Sequence, residues 1–157
     1  MEYGLFETRL AELHEVEEAD LKAFRAKLRF FRYQGIPEVD QPGKGKRLSY
    51  TDDDFWTAHL ALYLDEAGYG PRTIKSIIAA ALADKHLIAE FEAKGDDAYF
   101  YFGMKVVDRE QVVGFSMINN RLAGDSIIFN PKPSFAAVYS VLNISHLTRE
   151  TRLGFSR

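Results

Sequence analysis

The 157-residue sequence predicts an α+β protein with a mostly helical N-terminal half, a small β-hairpin within it, and a small strand-rich C-terminal module. Before residue 92, apolar residues recur at intervals of three and four, which is the spacing of amphipathic helices. After residue 97, aromatic and β-branched residues cluster as they do in strands. We therefore predict two domains, at 1–92 and 93–157.

Two helices are predicted before Gly35, the residue that ends the second of them. The first is short and carries an apolar stripe from Leu5 to Leu13. The second runs from about Glu18 to Gln34, and its apolar residues lie three or four positions apart, so they share one face. These residues are Leu21, Phe24, Leu28 and Phe31.

Turn residues and helix signals organise the segment that follows. Proline and glycine between short β-prone runs at 36–50 predict a β-hairpin with a basic tip. Thr51 and Asp54 have the spacing of a capping box, so a third helix begins here and ends before Gly68. Pro71 suits the first turn of a fourth helix. The three consecutive aspartates at 52–54 are explained by this helix start and not by a metal site.

The C-terminal half contains β-prone segments separated by turns. Strands are predicted at 98–107 and 111–118, with a third at 126–129. Residues 134–142 are compatible with a helix or a strand, and periodicity does not choose between them. The basic tail at 148–157 is expected to be loose.

The aromatic run at 99–102 suggests self-association. Successive strand residues point to opposite faces, so one set of aromatic side chains faces a core and the other faces outward. An edge strand with exposed aromatic residues favours pairing with a second copy. We expect a homodimer; a small sheet covered by the 134–145 segment is the alternative.

Composition excludes several classes of protein. Apolar residues make up 46% and charged residues 27% of a chain that contains no cysteine. These values are typical of a globular protein and leave no disulfide, thiol nucleophile or cysteine metal site. The longest apolar run, 77–83, is far shorter than the ~20 residues of a membrane span. No basic-then-apolar leader opens the chain, so we expect a cytoplasmic protein that contacts no membrane.

The charges are unevenly distributed, although the net charge is only −3. Residues 1–20 contain seven acidic residues and one basic residue, whereas residues 21–50 contain eight basic and two acidic residues. A basic block of this kind predicts a polyanionic partner better than the total charge does.

Three segments in order resemble the winged helix-turn-helix of the MerR family. LRFFRYQGIP at 28–37 resembles its R-Y-Y-E-x-x-G-L-L-P segment, and GKRLSYTDDD at 45–54 resembles its G-Y-R-x-Y-x-x-x-D wing and helix start. AGYGPRTIK at 67–75 resembles its L-G-F-S-L-x-E-I segment. The resemblance covers about residues 6–85 and implies a DNA-binding domain.

The resemblance also implies which residues contact DNA. The second helix would enter the major groove, the hairpin would lie along the backbone or minor groove, and the second helix pair would add phosphate contacts. The groove-facing candidates are Lys22, Arg25, Arg29 and Arg32. The wing candidates are Lys44, Lys46 and Arg47. The phosphate candidates are Arg72 and Lys75.

The sequence also departs from the family. Strand-rich residues at 98–145 stand where the family has a long dimerisation helix, and the cysteines of its metal sensors are missing. We therefore expect a MerR-like DNA-binding domain and not a metal sensor.

Catalytic and metal-binding signals are weak. The four histidines show no ligand spacing, and no nucleophile elbow, Walker loop or dinucleotide fingerprint is present. Phe30, Phe31, Tyr33 and Trp56 are expected in the core, and His59 is expected to be half-buried with a satisfied ring. We predict no enzyme activity, no cofactor and no metal.

The sequence thus predicts a transcriptional regulator of bacterial or phage type that binds double-stranded DNA specifically and acts by occupying an operator. Two alternatives remain open: a protein-interaction module on a winged-helix scaffold, and an architectural or excisionase-like DNA-binding factor. Each basic group, taken singly, is also compatible with an ordinary solvated surface that binds no ligand.

Overall fold

Six helices and three strands are present in the computed structural model, which describes residues 1–39, 48–105, 112–119 and 137–156. The helices are α1 (Tyr3–Leu13), α2 (Leu21–Tyr33), α3 (Asp52–Glu66), α4 (Pro71–Ala83), α5 (His86–Ala93) and α6 (Ile144–Ser156). The strands are β1 (Ala98–Lys105), β2 (Val112–Asn119) and β3 (Ala137–Asn143). Helices combined with an antiparallel sheet confirm the predicted α+β class.

Two compact units divide the chain, and their boundary differs from the one predicted at residue 92. The first unit comprises Met1–Pro71 and Leu147–Arg157, and the second comprises Arg72–His146. The fourth and fifth helices therefore belong to the same unit as the sheet. The last part of α6 returns to the unit of α1, α2 and α3.

The third helix begins with the predicted capping box. The Thr51 hydroxyl accepts a hydrogen bond from the Asp54 backbone N–H at 3.2 Å, and Asp54 Oδ2 accepts one from the Thr51 backbone N–H at 2.8 Å. These two bonds satisfy backbone donors that the helix itself leaves unpaired. Gly68, with a φ of 85°, follows the end of the helix, as predicted.

Buried residues cover every side of α3. Residues 55–62 are buried without interruption, so the helix has no exposed face over two turns. Trp56 is 1% exposed, and its indole Nε1 donates a hydrogen bond to Thr148 Oγ1 at 3.1 Å. The predicted core position of Trp56 is thus confirmed.

The C-terminal tail, predicted to be loose, is the helix α6. Its side chains at Thr148 and Thr151 are buried, and Phe155 packs edge-on against Phe55 with ring centroids 5.9 Å apart. Arg9 Nη1 donates hydrogen bonds to the carbonyls of Gly154 and Phe155, which would otherwise be unpaired at the helix end. The prediction was wrong because the tail has partners 90 to 150 residues away in sequence, as the Trp56–Thr148 and Arg9–Phe155 separations of 92 and 146 show.

The second unit contains an antiparallel sheet with strand order β2-β1-β3. The predicted strands at 98–107 and 111–118 are confirmed as β1 and β2. Phe100 and Phe102 are completely buried, so one set of alternate aromatic side chains does face the core. β1 pairs with β2 on one side and β3 on the other, so the aromatic run 99–102 lies on the central strand and not on an edge strand that could pair with a second copy.

The ambiguous segment 134–142 is a strand where the structure describes it. Residues 137–143 form β3 and pair with β1 through Leu142 opposite Phe100. The third strand predicted at 126–129 lies outside the described residues. Among the helices that are described, none combines the length and the apolar character required to cross a bilayer.

Candidate nucleic-acid interface

The second helix has a buried face and a basic exposed face. Phe24, Leu28 and Phe31 are buried, which confirms most of the predicted apolar stripe, and Leu21 is half-buried. The predicted groove-facing residues are all exposed. They are Lys22, Arg25, Arg29 and Arg32. At ~100° per residue they lie within about 80° of one another around the helix, so the structure brings them together on one surface.

Two of these four cations already have partners within the first unit. Arg25 forms an ion pair with Glu7 of α1. The Arg32 guanidinium lies 4.9 Å from the centroid of the Tyr3 ring, in a cation–π contact. Such a contact contributes about 0.5–1 kcal/mol at an exposed site. These two arginines therefore have structural roles whether or not they touch a ligand.

The other two cations are available to a ligand. Lys22 and Arg29 make no ion pair or hydrogen bond with any residue that the structure describes. Their positions are seven residues apart, so they lie on the same helix face two turns from each other. A lysine and an arginine at this spacing can reach phosphates or base edges without first breaking a contact with any described residue.

Two aromatic residues beside the basic stripe are not in the core, contrary to prediction. Phe30 is 47% exposed and Tyr33 is 87% exposed, whereas Phe31 is only 2% exposed. The reason is rotational: Tyr33 is nine residues after Phe24, which places it about 180° away from the buried stripe. Exposed aromatic rings next to arginine are a composition that suits nucleic-acid contacts.

The predicted hairpin is not formed by the parts of it that the structure describes. Ser49 makes an isolated antiparallel bridge with Glu2, instead of pairing with residues 36–39. Tyr50 is buried and stacks on Phe6 with ring centroids 4.1 Å apart, which holds this segment against α1. Lys44, Lys46 and Arg47, the predicted wing cations, lie outside the described residues.

The predicted phosphate-binding residues belong to the second unit. Arg72 and Lys75 are exposed in the first turns of α4. The cations of α2 belong to the first unit. Phosphate binding by Arg72 and Lys75 stays a prediction.

The acidic N-terminal segment forms a groove with α2. The groove has a volume of about 240 Å³. Its apolar lining is Ala11, Val16, Leu21 and Phe24. One threonine, three glutamates and one arginine complete it, namely Thr8, Glu7, Glu12, Glu15 and Arg25. The structure therefore places carboxylates and the Arg25 guanidinium around an apolar floor.

A histidine pair that the sequence did not predict lies beside a second pocket of about 300 Å³. His59 Nδ1 and His14 Nε2 are 2.9 Å apart. Glu66 Oε1 lies 3.6 Å from His14 Nδ1, and Glu150 Oε2 lies 3.4 Å from His59 Nε2. His59 is 1% exposed, so it is fully buried and not half-buried as predicted.

One signal in the sequence was available for part of this site. His59, Tyr63 and Glu66 are spaced four and three residues apart, so they share one face of α3. No such signal links them to His14 or Glu150, which lie 45 and 91 positions from His59 in the chain. Within the described residues, no group of three His, Asp or Glu side chains is placed to hold a metal ion.

Comparison with protein-family models and with curated proteins gives no match for this chain.

Proposed function

We propose that this chain is a sequence-specific DNA-binding regulator that acts by occupying its operator. The observation that carries the proposal is the outer face of α2, where four exposed cations lie about 100° around the helix from a stripe anchored in the core. A helix fits the major groove, and an arginine can donate two hydrogen bonds to one guanine there. Lys22 and Arg29 are the leading candidates for these contacts because neither has an internal partner among the described residues.

A MerR-like arrangement, which the sequence resemblance implies, would supply the remaining parts of the proposal. In it, Lys44, Lys46 and Arg47 would follow the phosphate backbone, and Arg72 and Lys75 would add contacts at a helix start. We further propose a cytoplasmic homodimer of bacterial or phage type, because two-fold symmetry lets two copies of a reading helix contact paired half-sites.

The experiment that tests this function is selection from a pool of random duplex DNA at several salt concentrations, followed by sequencing of the retained DNA. We expect an enriched motif and an affinity that falls steeply as salt rises, because each phosphate contact releases a counterion. A palindromic motif would support the dimer. Absence of binding even at low salt would contradict the proposal.

The same experiment distinguishes an architectural or excisionase-like factor from a regulator. Binding that depends on salt but enriches no motif would favour the architectural alternative. For a regulator, each mismatched base pair in the selected site should cost about 1–3 kcal/mol.

The groove between α1 and α2 favours a second candidate function, a protein-interaction module. Its apolar floor accepts an aliphatic side chain, and Glu12 and Glu15 are exposed beside it. The complementary partner is a peptide segment that carries leucine-like side chains flanked by lysine or arginine. This candidate requires no DNA contact by α2.

A pair of peptides with opposite charge tests the groove. We expect a Leu/Lys peptide to shift the NMR signals of Ala11, Val16 and Phe24, and a Leu/Glu peptide of the same length to leave them unchanged. Replacing Glu12 and Glu15 by glutamine should weaken the Leu/Lys complex, since both rim charges are lost. Equal shifts with both peptides, or shifts located elsewhere, would contradict a charge-selective groove.

A further inference from the structure

Four side chains from two helices and one helix end form a row: Glu66, His14, His59 and Glu150. The central contact, between His14 Nε2 and His59 Nδ1, is a hydrogen bond of 2.9 Å. The outer contacts, at 3.6 Å and 3.4 Å, are ion-pair distances between a ring nitrogen and a carboxylate oxygen. His14 is the cap residue after α1, His59 and Glu66 lie on α3, and Glu150 lies on α6.

Counting protons along this row identifies the state that it favours. With both rings neutral, one proton occupies the central bond and only one other proton remains for the two outer nitrogens. Whichever tautomers are present, one outer nitrogen then turns a lone pair towards a carboxylate. A single additional proton removes this conflict, because both outer nitrogens then donate towards Glu66 and Glu150 while the central bond is kept.

A second additional proton has the opposite effect. Both rings would then be donors at every nitrogen, so two N–H groups would face each other across the central 2.9 Å contact. That contact cannot survive as a hydrogen bond, and two positive rings also repel one another in a poorly solvated site. The row accommodates one extra proton and rejects two.

We propose that the His14–His59 pair in the folded protein holds one proton more than two neutral rings carry. A second additional proton would separate the two rings. The pair would thus be an acid-sensitive connection between the end of α1 and α3. Both rings border the pocket of about 300 Å³, but His59 lies in a fully buried stretch of α3, whereas His14 is the cap residue after α1. His14 is therefore the ring that moves. This proposal is independent of DNA binding.

The surroundings of His14 agree with the proposal that a proton on this ring is unfavourable in the folded protein. Burial lowers the pKa of His14 below its ordinary value of 6.5, and it outweighs Glu66 and Glu150, which act in the opposite direction. Lys27 of α2 adds to the lowering, although it is also paired with Asp65 at 2.7 Å. Glu15 and Tyr63 line the same pocket.

The sign of the pH effect follows from this lowered pKa. Because the folded protein binds the His14 proton less readily than the unfolded chain does, protonation favours unfolding. The stability due to a neutral His14 is present above about pH 6.5 and is lost as the pH falls towards the lower folded-state pKa. Acid should therefore loosen the end of α1 first.

Imidazole ¹⁵N NMR of the full chain between pH 4.5 and 9 tests the proposal directly. We expect His14 and His59 to titrate together in two steps separated by about one pH unit or more, as coupled groups do. In the intermediate range, their shared N–H proton should be visible and protected from exchange. His86 and His146, both exposed, supply reference signals in the same spectra.

Two variants provide the controls. Replacing His59 by glutamine should merge the His14 titration into a single step, and replacing Glu150 by glutamine should make the first proton easier to lose. The wild-type spectra alone decide the matter if the His59 variant does not fold. The proposal is overturned if the two wild-type rings titrate independently, or if H59Q leaves the His14 titration unchanged.

Discussion

Replacing Trp56 by alanine is expected to lower the free energy of unfolding by about 3–5 kcal/mol, which is the usual cost of removing a buried tryptophan. The indole is 1% exposed, and its Nε1 donates to Thr148. The variant loses apolar burial, leaves a cavity and removes one connection between α3 and α6. Urea unfolding followed by circular dichroism measures the effect, because Trp56 is the only tryptophan and its fluorescence is lost with it.

Two matched substitutions separate packing from general sensitivity to mutation. Trp56→Phe should cost less than Trp56→Ala, since the ring fills most of the space while the bond to Thr148 is lost. Tyr33→Ala should change stability by no more than about 0.5 kcal/mol, because Tyr33 is 87% exposed. A Trp56→Ala loss no larger than that of Tyr33→Ala would contradict the central position of Trp56.

Replacing Arg29 by alanine is expected to weaken binding to the selected DNA site by about 1–3 kcal/mol, with relaxed preference at one base pair. Arg29 is exposed and makes no contact with a partner in the described residues, so its loss should leave the fold intact. Lys22→Ala should weaken binding to all sequences and reduce the salt dependence by about one phosphate contact. Fluorescence anisotropy across a salt series measures both.

Lys94→Ala is the appropriate charge control for these variants. Lys94 follows α5, is exposed and is paired with Glu90 at 2.7 Å, so this substitution removes one positive charge outside the proposed interface. We expect DNA affinity to be unchanged in this variant. Arg32 is a less suitable probe than Arg29, because its guanidinium packs on Tyr3 and its removal would disturb the fold. If Arg29→Ala and Lys94→Ala bind DNA equally well, α2 does not read DNA, and the acidic groove becomes the better candidate.

Much of the candidate interface could be predicted from local spacing. The spacing of Phe24, Leu28 and Phe31 predicted the buried side of α2. The spacing of the four cations placed them together on an exposed side of the same helix. The same argument did not extend to Phe30 and Tyr33, because adjacent aromatic residues were expected to pack inward. Their exposure follows from their angular positions around the helix, which can be calculated from the sequence alone.

The His14–His59 pair could not be predicted, since its members are 45 residues apart, one at the end of α1 and the other in α3. A histidine beside an apolar stripe has the same local pattern whether or not another ring meets it. Only the packing of α1 against α3 decides that contact.

The amino-acid sequence by itself determined the helices and strands that have strong local signals: α1 to α4 with the Thr51 capping box, and β1 with β2. Periodicity and capping act within a few residues, so they can be recognised without knowing the fold. The tertiary structure decided which segments belong together, including the return of α6 to the first unit and the placement of residues 137–143 in the sheet. These outcomes depend on partners distant in sequence, such as Trp56 for Thr148. A tail with few apolar residues becomes ordered only when its contacts with a distant part of the chain offset the entropy lost on ordering.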